Sequence, residues 1–214
     1  IESVRHRPVP KRMFGDFWLE GELSILFSDT GKGKSILAVQ IADAISRGAQ
    51  IKPVTMTATP QTVVYLDCEL SAKQFEMRYA EKEDGEAAYL KNHYRFSDNF
   101  LRVEMDVGSY DQGSGPTFDA VREVLTKNHS RVLIVDNITF FNTTSYSMGG
   151  SMRLMRELNK MKDELGLSIL ALAHTPKREF WRPLSINDLQ GSKNLSNFAD
   201  NIFSIGQSRF NANR

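Results

Sequence analysis

The chain has 214 residues, of which 41% are hydrophobic and 25% charged, and its formal net charge is +1. These values are typical of a globular chain, for which the length favours one domain over two, and they exclude a largely disordered protein. The balance of 27 basic and 26 acidic side chains gives no global sign of a nucleic-acid binder. Any such function must therefore come from a local patch.

Cysteine content and hydropathy indicate where the protein works. The single cysteine, Cys68, excludes an internal disulfide and is typical of a reducing compartment. No apolar run approaches the roughly 20 residues of a membrane-spanning helix, and the first 12 residues lack the apolar core of a secretory signal. We therefore expect a cytoplasmic protein with no membrane partner.

The chain begins with a basic segment and continues as alternating strands and helices. Residues 1–14 include Pro8 and Pro10, which predicts an N-terminal arm followed by one domain over residues 15–214. From residue 22 onward, short apolar runs alternate with longer helical patterns, which predicts an α/β fold with a mainly parallel central sheet flanked by helices. The predicted strands are residues 23–27, 62–66, 131–135, 168–173 and 201–205, with weaker candidates at 94–96 and 101–105.

A phosphate-binding loop follows the first strand. Residues 28–35 read SDTGKGKS and end in the Gly-Lys-Ser of the P-loop pattern. Gly31 and Gly33 let the backbone curl so that consecutive N–H groups point at phosphate oxygens. Lys34 can bridge the β- and γ-phosphates of ATP, and the Ser35 hydroxyl can ligate Mg²⁺. The positive end of the next helix, predicted from residue 34 to about residue 46, adds to that field.

The loop departs from the P-loop pattern at one position. Ser28 replaces the first glycine, but it lies at the strand exit rather than against the phosphates, so we expect the loop to persist. Lys32 is an additional cation without an assigned role. Phe17 and Trp18, upstream, could stack on adenine or cover the sheet edge. The residues predicted to bind ATP in this loop are Ser28, Asp29, Thr30, Gly31, Lys32, Gly33, Lys34 and Ser35.

The second strand ends in two carboxylates, Asp67 and Glu69. Open α/β sheets place their ligands at the carboxyl ends of the strands, so Glu69 is a candidate general base for ATP hydrolysis. The alternative is that both acids cap the next helix, predicted over residues 71–79. The sequence leaves both possibilities open.

The third long strand ends in Asp136, between helical patterns at residues 118–125 and 154–165. In P-loop enzymes such an aspartate holds the Mg²⁺ shell, so we predict that Asp136 and Ser35 form the metal site and that Asp136 also contributes to cofactor binding. Asn137 follows where many P-loop ATPases have a glutamate, and an amide cannot act as the base. The general base must therefore come from elsewhere, and Glu69 is the best candidate.

The strand at residues 168–173 leads into His174 and then a basic, aromatic segment. His174 lies at the edge where the nucleotide should sit, which predicts contact with the γ-phosphate; a hydrogen-bonded core histidine is the alternative. The predicted catalytic residues are thus Glu69, Lys34 and His174. Residues 176–182 read PKREFWR and combine cations with aromatic rings, as single-stranded DNA sites do, whereas packing on a neighbouring subunit is the alternative. The candidate nucleic-acid contacts are Lys177, Arg178, Trp181 and Arg182.

These motifs together resemble the RecA-like P-loop ATPases of the RepA and DnaB replicative-helicase group. Residues 63–78, VVYLDCELSAKQFEMR, resemble the strand–glutamate–helix motif in which the glutamate activates water. Residues 132–141, VLIVDNITFF, are similar to its Walker B strand, and residues 170–178, LALAHTPKR, to the motif that senses the γ-phosphate. Residues 188–192, DLQGS, resemble the last block before the final strand.

The resemblance implies a homo-oligomer, often a hexameric ring, with ATP at the subunit interfaces and an arginine from the neighbouring subunit. Arg178, Arg209 and Arg214 are the candidates for that arginine. It also implies that ATP turnover drives helicase-like or translocase-like action on DNA during plasmid or mobile-element replication. A KaiC-like ATPase that regulates a protein partner is the alternative, and a small-molecule kinase ranks last because no Arg-rich lid is apparent.

Overall fold

The computed structural model describes residues 8–82, 90–105, 118–138, 149–176, 178, 182–189 and 195–206. Within these residues, one sheet of six strands forms the centre of the fold, in the order β10-β3-β9-β8-β4-β7. Every neighbouring pair in this sheet is parallel. Its strands are β3 (Leu23–Ser28), β4 (Val63–Asp67), β7 (Phe100–Glu104), β8 (Val132–Asp136), β9 (Ser168–His174) and β10 (Asn201–Ser204).

Helices and two small hairpins complete the described part of the chain. The helices are α1 (Lys34–Arg47), α2 (Ala72–Arg78), α3 (Phe118–Lys127) and α4 (Gly149–Leu165), and a 3₁₀ helix spans Ile186–Asp188. Two-stranded antiparallel pairs join β1 (Arg12–Phe14) to β2 (Trp18–Leu19) and β5 (Glu81–Lys82) to β6 (Leu90–Lys91). No helix among the described residues is both long and apolar enough to cross a membrane.

The sheet is buried on both faces because its strands alternate between two hydrophobic clusters. In β8, Leu133 and Val135 face one cluster, whereas Val132 and Ile134 face the other. The first cluster contains residues of α3 and α4, and the second contains residues of α1, α2 and the β1–β2 hairpin. A parallel sheet covered on both faces explains why its strands appear in the sequence as continuous apolar runs. The predicted α/β fold is confirmed.

The N-terminal segment differs from the predicted arm. Met13 and Phe14 are buried in the cluster beside α1, so the last residues of the predicted arm belong to the core. The basic sequence with its two prolines gave no signal for this, because Met13 and Phe14 are the only buried apolar side chains among residues 8–14. The division at residue 14 stays a prediction for the residues before residue 8. Trp18 is fully buried and its indole N–H donates to the carbonyl of Glu22, so it covers the core and cannot stack on adenine.

The weak strand candidate at residues 94–96 is wrong. Phe96 packs its ring against Phe75, Tyr79 and Phe100, so the segment is held by aromatic contacts with α2 and β7. Aromatic residues favour strands in general, but here side-chain packing replaces ladder hydrogen bonding. The other weak candidate, residues 101–105, corresponds to β7.

Candidate functional site

Four strand ends meet at one edge of the central sheet. Ser28 at the end of β3 pairs with His174 at the end of β9, and Asp67 at the end of β4 pairs with Asp136 at the end of β8. Because β8 and β9 are also neighbours, the phosphate loop, His174, Asp136 and the segment after β4 lie side by side. Carboxyl ends of parallel strands are where open α/β sheets bind their ligands.

The phosphate loop has the conformation that its glycines predict. Gly31 and Gly33 have φ angles of 74° and 92°, in the left-handed region that side chains disfavour. A Cβ added to either glycine would meet no atom within 4 Å, so backbone conformation rather than space requires glycine here. Gly33 caps α1 without a side-chain hydrogen bond, and the first turn of α1 has no acidic residue. The free amides of this helix start therefore suit an anion such as phosphate.

Lys34 is a buried ammonium group at the base of this loop. Only 5% of the residue is exposed, and its Nζ lies 3.1 Å from Nδ1 of His174. Burial lowers the pKa of Lys34, although the nearby charges of Asp136, Glu69 and Asp29 act in the opposite direction. The ammonium group is thus placed between the loop and the acidic strand ends.

Glu69 lies in a hydrogen-bonded group with Asn137 and His174. Its Oε1 is 2.9 Å from Nε2 of His174, and the amide of Asn137 donates to the same oxygen. The Lys34 ammonium can only donate, so Nδ1 of His174 accepts from it, while Nε2 of the same ring faces Oε1 of Glu69 at 2.9 Å and Nδ2 of Asn137 at 3.0 Å. The bond from His174 is the main cause of the lowered pKa of Glu69. Glu69 is therefore ionised at neutral pH and can accept a proton.

Asp67 has a different role from Glu69. Its Oδ1 accepts the backbone N–H groups of Glu69 at 3.1 Å and Leu70 at 2.9 Å, and its Oδ2 pairs with Nε of Arg102 at 2.9 Å. Asp67 thus holds the turn after β4. Helix α2 is capped instead by Ser71 in a capping box with Gln74. The alternative that Glu69 caps this helix has no support in these contacts.

Asp136 is a buried carboxylate in which only one of the two oxygens has a hydrogen-bond partner among the described residues. The hydroxyl of Tyr65 donates to its Oδ2 at 2.6 Å, whereas Oδ1 is buried without a hydrogen-bond partner among the described residues. Burial raises the pKa of Asp136 to about 6, although hydrogen bonds from Tyr65 and Ser35 lower it. A buried carboxylate oxygen and a hydroxyl at the start of α1 are the oxygen donors that Mg²⁺ prefers. The residues present therefore fit a Mg²⁺ ion.

Two predicted ligand-binding arginines form ion pairs within the chain. Arg178 pairs with Asp29 of the phosphate loop, and Arg182 pairs with Asp188. The predicted nucleic-acid residues Lys177 and Trp181 lie outside the described residues, as do the candidate intersubunit arginines Arg209 and Arg214. The nucleic-acid assignment therefore stays a prediction.

Three contributors to the site escaped the sequence reasoning. These are Tyr65, Asn137 and Thr175, which contact Asp136, Glu69 and Asp29 respectively. Tyr65 offered a usable signal, because a hydroxyl in an otherwise apolar buried strand needs a partner. Asn137 cannot act as a base, but its amide donates a hydrogen bond to Glu69.

Comparison with known proteins agrees with the fold. The profile of the AAA domain family matches residues 2–179. The solved structure of a KaiC-like protein from the hyperthermophilic archaeon Pyrococcus horikoshii OT3 is similar in fold, with a TM-score of 0.60 and 14% sequence identity over 91% of this chain and 75% of that chain. No curated protein matches the sequence. The fold is thus that of a RecA-like P-loop ATPase.

Proposed function

This chain belongs to the AAA domain family, and we propose that it binds ATP with Mg²⁺ at the phosphate loop and hydrolyses ATP with Glu69 as the general base. One observation carries this proposal: a single histidine ring joins the loop lysine to the candidate base. His174 contacts Lys34 through Nδ1 and Glu69 through Nε2. This contact supports a mechanism in which phosphate binding by Lys34 and water activation by Glu69 are coupled through one ring.

The loop residues supply the binding step of the proposed mechanism. The amides of the glycine turn and the start of α1 bind the phosphates, and the Lys34 ammonium contacts the β- and γ-phosphates. Ser35 and Asp136 would hold Mg²⁺, which neutralises charge on the β- and γ-phosphates when it is bound with ATP.

Glu69 and His174 supply the chemical step. Glu69 removes a proton from the attacking water, for which its lowered pKa keeps it ionised. When Lys34 moves its hydrogen bond to the γ-phosphate, Nδ1 of His174 loses its donor. This change in hydrogen bonding at Nδ1 reaches Glu69 through Nε2 of the same ring. We propose that His174 senses the γ-phosphate in this way.

We further propose that the protein is a cytoplasmic homo-oligomer like the RepA and DnaB group, whose members often form hexamers, and that it acts on single-stranded DNA. The support is the resemblance of its motifs to that group and the PKREFWR segment after β9. Of its basic residues, Arg178 and Arg182 already have carboxylate partners. The DNA proposal therefore depends most on Lys177 and Trp181.

The ATPase proposal is tested by two substitutions with separate expected effects. Lys34→Ala should abolish measurable ATP binding because it removes the ammonium group aimed at the phosphates. Glu69→Gln should retain ATP binding but slow turnover by a factor on the order of 10² or more, since the general base is lost. Affinity for a fluorescent ATP analogue and steady-state ATPase rates measure the two effects. Normal turnover in Glu69→Gln would remove Glu69 from the mechanism.

The DNA proposal needs its own experiment. We expect ATPase turnover to rise on addition of single-stranded DNA and the mass in solution to increase with a nonhydrolysable ATP analogue. Equal turnover with and without DNA would contradict action on DNA and favour a KaiC-like regulatory ATPase. A constant monomer mass would contradict the oligomer.

A further inference from the structure

The phosphate loop contains a carboxylate, Asp29, in a position where negative charge opposes triphosphate binding. Both of its oxygens are engaged: Thr175 Oγ1 donates to Oδ1 at 2.5 Å, Arg178 Nε donates to Oδ1 at 3.0 Å, and Arg178 Nη2 donates to Oδ2 at 3.0 Å. The paired side chains are largely buried, with 12% of Asp29 and 11% of Arg178 exposed. This is a fork-to-fork ion pair rather than a loose surface contact.

The partner of this carboxylate comes from a distant part of the chain. Arg178 lies beyond the end of β9, four residues after His174, and the amide of Thr175 extends the pairing of β9 with β3 by donating to the carbonyl of Ser28 at 3.3 Å. The remaining guanidinium nitrogen, Nη1, donates to the carbonyl of Arg182 at 2.6 Å. The guanidinium therefore ties the segment after β9 to the phosphate loop.

The charge balance gives this pair a function. An unpaired carboxylate at Asp29 would repel the phosphates of a bound nucleotide, and with low exposure this repulsion would be weakly screened. The hydrogen bonds from Arg178 are the main cause of the lowered pKa of Asp29, so the carboxylate stays ionised and depends on its partner for neutralisation.

We propose that Arg178 is a positioning residue of the nucleotide site, which neutralises Asp29 and holds the phosphate loop in its binding conformation. The inference rests on the proposed ATP site. It reassigns Arg178 from the candidate nucleic-acid contacts, because its two Asp29-facing nitrogens and Nη1 already have acceptors within the chain. ATP affinity should then depend on Arg178 when no nucleic acid is present.

The test measures the affinity of the full chain for a nonhydrolysable fluorescent ATP analogue with Mg²⁺ and without nucleic acid. Arg178→Ala should weaken binding about tenfold or more, because it leaves the Asp29 charge uncompensated beside the phosphates. Arg178→Lys should recover part of the affinity, since it keeps the charge but loses the fork. The double variant Asp29→Asn with Arg178→Ala should bind nearly as tightly as wild type. Melting temperatures measured on the same samples separate binding from folding.

Controls distinguish failure of this inference from failure of the ATP site. Arg122→Ala removes an ion-paired arginine from the α3–α4 surface and should leave affinity unchanged. Wild-type affinity in Arg178→Ala, with binding lost in Lys34→Ala, would overturn the positioning role alone. A double variant as weak as Arg178→Ala would also overturn it, because removing the carboxylate should restore binding. Absence of binding by wild type itself would overturn both proposals.

Discussion

Two buried aspartates in this chain have similar exposure but opposite surroundings. Asp43, in α1, has every oxygen engaged: Arg47 donates to Oδ2 at 2.8 Å, Tyr94 donates to Oδ2 at 2.6 Å, and the amide of Ser97 donates to Oδ1 at 3.0 Å. Asp136, at the end of β8, has Oδ1 without a partner among the described residues.

The pKa values of the two carboxyl groups follow from this difference. Burial acts to raise the pKa of Asp43, but the hydrogen bonds from Arg47, Tyr94 and Ser97 outweigh it, and the pKa is lowered. At Asp136 burial dominates and the pKa is raised to about 6. A fully hydrogen-bonded buried carboxylate such as Asp43 stabilises the fold, whereas the Oδ1 of Asp136, unpartnered within the described residues, needs an explanation, and the proposed Mg²⁺ site supplies one.

The largest expected effect comes from removing the charge of Asp136. Asp136→Asn should lower ATP turnover by a factor on the order of 10² or more, because the oxygen that would hold Mg²⁺ is lost. The same variant should unfold in metal-free buffer at a urea concentration no lower than wild type, since a buried charge is removed. Steady-state rates and urea titrations measure the two quantities. A strongly destabilised variant would show that Asp136, like Asp43, serves the fold.

Asp43→Asn should have the opposite pattern. We expect the free energy of unfolding to fall by about 1–3 kcal/mol, because hydrogen bonds to a charged acceptor are lost in a buried setting. ATP affinity should stay within about twofold of wild type, as Asp43 lies outside the nucleotide site. Urea unfolding and analogue binding provide the measurements. A large loss of ATP affinity without loss of stability would show that Asp43, like Asp136, serves the nucleotide site rather than the fold.

Tyr65→Phe tests the role of Asp136 through the residue that donates a hydrogen bond to it. It removes the hydroxyl that orients Asp136 while it keeps the ring that packs against Phe100 at a centroid distance of 5.8 Å. We expect the Mg²⁺ concentration for half-maximal binding of an ATP analogue to rise about tenfold, since a hydrogen bond to a charged group contributes about 1.5–3 kcal/mol. Mg²⁺ titrations measured by analogue fluorescence test this. An unchanged Mg²⁺ requirement would mean that Tyr65 only fills space.

The smallest expected effect is the pH dependence of stability without metal. The folded pKa of Asp136, about 6, exceeds its ordinary 3.8, so its penalty on stability is present above pH 6 and disappears as pH falls towards 3.8. The contribution of Asp43 has the opposite sign: it is present above 3.8 and is lost as pH falls through the lowered pKa. Acidification from about pH 7.5 to about pH 4.5 should therefore reduce any stability advantage of Asp136→Asn but leave the deficit of Asp43→Asn constant. Urea titrations of both variants and of wild type across this pH range test this. A constant Asp136→Asn advantage together with a shrinking Asp43→Asn deficit would contradict the assignment.

The sequence predicted the strands of the central sheet well because buried parallel strands are continuous apolar runs. The predicted runs at residues 62–66 and 131–135 each differ from the observed strands, Val63–Asp67 and Val132–Asp136, by one residue at either end. The β1–β2 and β5–β6 hairpins were missed because strands of two or three residues carry too little periodicity. Aromatic packing, which depends on distant residues, overturned the strand at residues 94–96.

For the candidate site, the sequence predicted residue types at strand ends but not their partners. That Glu69, His174 and Asp136 would meet followed from their places after parallel strands. The division of labour between Asp67 and Glu69 did not follow, since it depends on Arg102 of the neighbouring strand β7. Likewise the nucleic-acid prediction for Arg178 rests on local sequence, a cation beside aromatic residues, whereas its pairing with Asp29 joins residues 149 positions apart and could not be predicted from it.

What the sequence by itself determined is therefore local: the apolar periodicity of strands and helices, the glycine turn before α1, and the carboxylates at strand ends. Tertiary structure alone decided which carboxylates are fully hydrogen-bonded and which have an oxygen without a partner in the part of the chain that the structure describes. The physical reason is that hydrogen bonding and burial of a charge depend on side chains brought together from distant strands, and no local pattern encodes that meeting.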